Sequence, residues 1–345
     1  MQEMQMDSSG MGSALDVLAP PQPAAGQRNS LPVWGESIDA GNLLAAARAG
    51  LARLRAVREH ANAMNVFPIP DGDTGTNMVL TMQSACDEAG RHPASHAGAM
   101  AAALAHGALV GARGNSGVIL SQLWRGFAAG LHECDVIRAE DFARAWREAS
   151  RAAYQSVGRP VEGTILTLSA DVAAAAQAAV PDGVCSVVDL LARVVEEARR
   201  SLQRTPDLLP ILRQAGVMDS GAAGLFYILE GMLRAAYGED LNDRPPENLQ
   251  AEAPRQHAGL EVEPGQDWEM VVDLRLAGAA SADAVRRSLA LMGTSLQIGQ
   301  GDGWCRIHIH VADGCERRVA EALRPLGILR SVDLENLRPP AVSYA

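Results

Sequence analysis

Lysine is absent from this chain: all 30 basic residues among its 345 are arginine. That absence excludes a Walker A loop, a protein-kinase strand lysine and a pyridoxal Schiff base, each of which needs a primary amine. If the protein handles a nucleotide, its phosphate charge must be met by metal, backbone amides, hydroxyls and Arg. Aromatic residues are scarce too, at 4% of a chain that is 48% hydrophobic. Alanine and leucine carry much of the core, which favours close-packed helices. The formal net charge is −11, which argues against a nucleic-acid partner. The five cysteines (Cys86, Cys134, Cys185, Cys305 and Cys315) are odd in number and form no CxxC pair. That usage fits reduced thiols in a cytoplasmic protein. No apolar run approaches the length of a membrane span. The N-terminus lacks the basic and apolar regions of a signal peptide.

Residues 1–34 are rich in Met, Gln, Ser, Gly, Pro and Ala and lack periodicity, which predicts a mobile tail. Residues 35–240 read as helical. Leu43, Leu44, Ala47, Leu51, Leu54 and Val57 recur at helical spacing within Ser37–Met64. Further helices are expected at 76–90, 95–110, 116–132, 139–158, 164–180, 185–203 and 220–237, with a shorter one at 207–215. Roughly eight helices joined by short loops predict an antiparallel bundle or barrel. Residues 241–266 are polar and Pro-containing, as a linker would be. The period then changes. Strands at 268–276, 294–300, 303–311 and 327–334, with helices at 281–291 and 314–324, give a β-α-β-β-α-β order. This is a ferredoxin-like plan for a small α/β unit over 267–336, followed by an irregular tail at 337–345.

The stretch Asn65-Val66-Phe67-Pro68-Ile69-Pro70-Asp71-Gly72-Asp73-Thr74-Gly75-Thr76-Asn77-Met78 sets two carboxylates two residues apart on a turn leading into a helix. Asp71 and Asp73 are hard oxygen ligands suited to Mg²⁺. Helix-starting amides at Thr76-Asn77-Met78 offer a place for phosphate oxygens. A metal-bound polyphosphate is the economical reading. Two others stay open. Asp and Thr also make good N-caps, so the stretch could be a well-capped helix start. A calcium loop is the third reading, although the ligand alternation and distal Glu of an EF-hand are missing.

Three more turns open helices with small residues: Gly111-Ala112-Arg113-Gly114-Asn115-Ser116-Gly117-Val118-Ile119-Leu120, Glu162-Gly163-Thr164-Ile165-Leu166, and Val217-Met218-Asp219-Ser220-Gly221-Ala222-Ala223-Gly224. Each taken singly is an ordinary capped helix end. Together with the acidic loop, and in this order, they resemble the bacterial fatty acid kinase A family. The first domain of that family is the nucleotide-binding, DhaL-type domain shared with dihydroxyacetone (glycerone) kinases. The resemblance is strong over residues 35–240 and weaker over 260–336.

The resemblance implies a helical barrel holding ATP or ADP and two Mg²⁺ ions at one end. Asp71 and Asp73 match the family's metal-binding, catalytic acids, and Asn65 is the nearest counterpart of a third upstream acid. Thr74, Thr76 and Asn77 would lie by the phosphates. Gly114, Asn115, Ser116 and Gly117 match the phosphate-holding turn. Thr164, Asp219, Ser220 and Gly221 match turns nearer the base and ribose. The implied activity is transfer of the γ-phosphoryl group to a fatty acid carboxylate presented by an acyl-chain-binding partner protein, giving an acyl phosphate. A triose acceptor, as in glycerone kinases, is one alternative. A non-catalytic nucleotide-binding scaffold is another. The family continues into a third domain that engages the partner, whereas this sequence stops at Ala345. That difference raises three options: a separately encoded third domain, a different partner, or reduced kinase activity.

In the small unit, Trp304-Cys305-Arg306-Ile307-His308-Ile309-His310 reads as a strand. His308 and His310 share its face with Arg306, and Cys305 points the other way. The family's middle domain has a matching His-x-His and a Cys on its first strand, which implies zinc. Here the first strand offers Glu269 and no Cys. A polar strand face, or a homodimer contact through the small unit, is the competing reading of the two histidines.

Overall fold

The computed structural model describes residues 32–91, 94–239, 265–301 and 303–337. The expected tail up to residue 31, the expected linker from 241 to 264, and residues 338–345 lie outside the described residues. The chain is already packed at its first described positions. The Val33 amide donates to the Ala236 carbonyl at 2.8 Å, and Trp34 is buried in the helical core.

The helical unit contains α1 (Ala40–Ala56), α2 (Arg58–Ala63), α3 (Thr74–Arg91), α4 (Ala97–Val110), α5 (Gly114–Gly130), α6 (Ala139–Ser156), α7 (Ile165–Ala179), α8 (Val187–Leu208), α9 (Pro210–Ala215) and α10 (Ser220–Ala236). Side-chain oxygens of Asp39, Thr164, Ser186 and Asp219 cap α1, α7, α8 and α10 by accepting from their first-turn amides. The single helix expected over Ser37–Met64 is broken at Val57, which leaves helical geometry. The short α2 then carries Asn62 to Thr76. Helices α3 and α5 start two residues earlier than periodicity indicates, at Thr74 and Gly114.

Each long helix from α3 to α8 packs on the next; α8 packs on α10, α10 on α1, and α1 returns to α3. The circuit closes around one core that includes Leu54, Met78, Leu104, Leu120 and Ile228. Small residues let the helices approach closely. A Cβ added at Gly130 would lie 2.5 Å from the Ala145 Cα, and one at Gly126 would meet Glu148 and Ala149. This seam between α5 and α6 is what an alanine-rich, aromatic-poor composition can build. Four of the few aromatic residues gather in one place. Phe127 meets Trp124, Phe142 and Trp146 edge-on, with ring centroids 5.7–5.9 Å apart; such pairs contribute about 0.5–1.5 kcal/mol each beyond area burial. These rings and Trp34 line an apolar cavity.

The second unit runs β1 (Trp268–Leu276), α11 (Ala282–Leu289), β2 (Thr294–Gly301), β3 (Trp304–Val311), α12 (Glu316–Leu323) and β4 (Gly327–Asn336). The sheet order is β2-β3-β1-β4, and neighbouring strands are antiparallel. Met270, Val272, Leu274, Ile307 and Ile309 pack against Val285 and Leu289 of α11 and Val319 and Leu323 of α12. Period-2 alternation sends Glu269, Asp273, Arg306, His308 and His310 to the opposite face. That face is covered by the helical unit. Arg306 is held by Asp273 at 2.9 Å and donates from Nη1 to the Val110 carbonyl at 3.3 Å. The Gly158 amide donates to the Leu296 carbonyl at 3.2 Å. As a result, the interior of β3 is buried on both faces.

Candidate functional site

The turn before α3 brings two carboxylates together. The Asp73 amide donates to Asp71 Oδ1 at 3.4 Å. Asp71 is exposed as a residue, while its carboxylate is partly buried against Asn65. Desolvation first, and the neighbouring Asp73 second, push its carboxyl up to about 8. The loop is tied to α5 through Asn77, whose Nδ2 donates to Asp73 Oδ2 at 2.7 Å. Gly114 opens α5 with φ +54°, and a Cβ there would collide with Asn77 Nδ2. Glycine meets both constraints. Gly117 lies against Thr81, where a Cβ would be 2.5 Å from Oγ1. The Thr81 hydroxyl in turn donates to the Asn77 carbonyl at 2.8 Å and accepts from the Arg113 amide at 3.3 Å. Asn115 and Ser116 stand half-buried in the first turn of α5.

Asn65 joins the acidic loop to α10. Its Oδ1 accepts from the Thr74 hydroxyl at 2.8 Å and the Ser220 hydroxyl at 3.3 Å. Its Nδ2 donates to the Ile69 carbonyl at 3.0 Å and to the Asp71 carboxylate. The Asn65 oxygen proposed as a third metal ligand is therefore engaged by two hydroxyls, while its amide orders Asp71. Thr76 is held by Asn62, which accepts from its amide at 3.1 Å and donates to its hydroxyl at 3.0 Å.

The last two turns also meet. Asp219 caps α10, accepting from the Ala222 amide at 2.7 Å. The amides of Gly221 and Ile165, the latter beside Thr164, face the same carboxylate. Complete burial outweighs these donors and raises the Asp219 carboxyl to about 6. The Thr164 hydroxyl donates to the Val161 carbonyl at 2.8 Å. A Cβ on Gly221 would come within 3.4 Å of Ile165. The four turns, separated in sequence, thus form one contiguous polar region. Asp71–Asp73 touches α5 through Asn77 and α10 through Asn65, and α10 touches α7 through Asp219.

The sheet contributes a second cluster. His308 Nε2 and His310 Nε2 are 2.9 Å apart. Glu269 Oε1 lies 3.4 Å from His308 Nδ1, and Oε2 lies 3.9 Å from His310 Nε2. Burial holds His308 well below the usual imidazole range and brings His310 down to about 4. Both rings therefore keep neutral nitrogens, as metal ligation requires. Burial, followed by Asp73 and Glu335, pushes Glu269 up to about 7. One donor atom from each of these three residues can be chosen so that all lie within 4.8 Å of one another. Glu269 also adds to the repulsion felt by Asp71, so the two clusters share one end of the molecule.

Sequence reasoning missed Gln297. Its Nε2 donates to Asn115 Oδ1 at 2.6 Å across the junction of the two units. A glutamine on a short strand carries no local signal of such a role. Asn62 was missed as well, because the break at Val57 that aims it toward Thr76 is invisible to helical periodicity.

Comparison with known proteins bears on the family of the helical unit. Residues 68–234 match the DAK2 domain. Protein YloV of Bacillus subtilis is 36% identical over 300 residues, which cover 84% of this chain and 54% of that protein. An uncharacterized protein of Staphylococcus saprophyticus is 38% identical over 258 residues, covering 72% of this chain and 46% of its own length. The chain spans about half the length of the curated relatives it matches. The YloV match reaches beyond the DAK2 region into the small α/β unit. Residues 68–234 therefore match a DAK2 domain, the DhaL type, and YloV is the kind of protein to which most of the chain is similar.

Proposed function

We propose that this chain is the nucleotide-binding subunit of a kinase, taking ATP with two Mg²⁺ ions and leaving ADP. The observation that carries the reading is the joining of Asp71 and Asp73 to the starts of α3, α5 and α10. Two adjacent carboxylates, one raised to about 8, are a poor arrangement unless a cation offsets their repulsion. Their oxygens suit Mg²⁺, with Asp71 and Asp73 as the holding residues. When bound, the ions would neutralise the charge of the triphosphate and of the transferring group. The chain's own part is positioning. Amides at the first turn of α5, together with Asn115 and Ser116, would donate toward phosphate oxygens, and Asn77 would hold Asp73 in place beside them. Thr164, Asp219, Ser220 and Gly221 form the wall at α7 and α10 where the nucleoside would lie. Asn65 acts here by ordering Asp71. No lysine is needed for any of these roles.

The acceptor in this proposal is a fatty acid carboxylate presented by an acyl-chain-binding partner, and the product is an acyl phosphate. The protein would work in the cytoplasm; among the described residues no helix is long and apolar enough to cross a membrane. Glu269, His308 and His310 would hold zinc, for which two neutral imidazoles and a carboxylate are a suitable donor set. A homodimer would form through the free edge of β4, where Ile328, Val332 and Leu334 are exposed. Calorimetry of ADP binding with and without Mg²⁺ tests the nucleotide site. The expected result is binding that requires the ion. Binding indifferent to Mg²⁺ would discard the reading. Acyl phosphate formation with a fatty-acid-loaded partner, measured beside dihydroxyacetone phosphorylation, tests the acceptor.

A further inference from the structure

The α5 turn is gripped from the small unit by one side chain. Gln297 of β2 is buried, and its Nε2 donates to Asn115 Oδ1 at 2.6 Å. Its own Oε1 is buried without a hydrogen-bond partner. The contact is part of a tight junction: a Cβ on Gly299 would lie 3.0 Å from Leu109 and 3.1 Å from Gln122. The strand that carries Gln297 is thereby packed closely against α4 and α5.

An asparagine amide has one accepting end and one donating end. Gln297 takes the accepting end of Asn115. No described residue accepts from Asn115 Nδ2, which remains available as a donor at the first turn of α5. The unpaired amides of that turn are donors as well. An anion there would meet donors alone. With the Asn115 amide turned over, a carbonyl oxygen would face the anion and repel it.

We infer that Gln297 is a positioning residue that fixes the polarity of the Asn115 amide, so that the small unit prepares the α5 turn for a phosphate. The inference rests on the nucleotide site proposed above. It assigns to the second unit a task in nucleotide binding that neither the acidic loop nor the histidine pair performs.

The test is calorimetry of Mg²⁺-ADP binding on the full chain, with the thermal midpoint of each nucleotide-free variant as a folding control. Q297E keeps the size of the side chain but only accepts hydrogen bonds, so it turns the Asn115 amide over. Affinity should fall roughly tenfold or more, as for the loss of a hydrogen bond to a charged group. Q297M keeps the packing, takes no end of the amide, and should cost less than Q297E. In an N115A background, exchanging Gln297 for Glu should have no further effect. Wild-type affinity in Q297E overturns the inference. So does an equal loss from Q297E with and without Asn115, which would mean that the charge acts elsewhere, for instance through His308 opposite Gln297 on β3. If Q297E does not fold, wild-type affinity in Q297M overturns the inference. No Mg²⁺-ADP binding by the unmodified chain would overturn the nucleotide site itself, and the inference with it.

Discussion

At the helix ends, Asp71 and Asp73 come from a single tripeptide and their carboxylates accept from Asn65, Asn77 and the Asp73 amide. On the sheet, Glu269, His308 and His310 come from two strands and touch chiefly one another. Both clusters bring ionisable groups close together, by different physical means, and only the sheet cluster is closed off from water. Helix starts supply fixed partial positive charge, which suits anions and the cations that accompany them. A strand face supplies side chains at a rigid two-residue spacing and little field of its own. The first cluster is therefore built around charge, and the second around neutral lone pairs.

Removing both acids is the strongest way to break that contrast. D71A/D73A should weaken Mg²⁺-dependent ADP binding roughly 100-fold or more, since the ion loses its hard ligands; calorimetry that finds unchanged affinity would remove the acidic loop from the site. On the sheet, H308A and H310A should each bring bound zinc, measured by elemental analysis after dialysis, to near zero. A wild-type chain that carries no zinc after purification in zinc-containing buffer would leave Glu269, His308 and His310 as a plain buried polar cluster. G114A probes the backbone on which the charged cluster depends. Positive φ and the collision with Asn77 should cost about 1–3 kcal/mol in urea unfolding, and a neutral result would mean that the α5 turn yields easily.

The smallest expected effect concerns Asp219. Its carboxyl is raised to about 6 in the folded chain, above the value of about 4 expected unfolded. The unfolded chain thus releases this proton first. The contribution to stability is full below about pH 4 and is lost as pH rises toward 6. D219N should flatten that part of the stability–pH curve while retaining an N-cap. An unaltered curve would show that Asp219 ionises in the folded chain as it does in water.

Much of this arrangement is legible in the sequence because it is local. Asp71-Gly72-Asp73, Gly114-Asn115-Ser116-Gly117 and Asp219-Ser220-Gly221 are contiguous, and each opens a helix that apolar spacing had already located. The strands were legible for the same reason: alternation along Trp304–Val311 separates His308 and His310 from Cys305 without any knowledge of neighbours. What stayed hidden is pairing between distant segments. Nothing near Gln297 refers to Asn115, and nothing near Glu269 refers to Asp73. Trp34 lies in a stretch with no periodicity, yet one large apolar ring was enough to pull it into the core. The break at Val57 was hidden too, because apolar spacing continues through it.

Strand β3 is sealed on one side by α11 and α12 and on the other by the helical unit. Its central side chains can reach solvent only when one of those covers lifts. The strand is consequently a built-in reporter of whether the halves of the molecule stay together, and chemical modification of the buried imidazoles of His308 and His310 would record a parting between them.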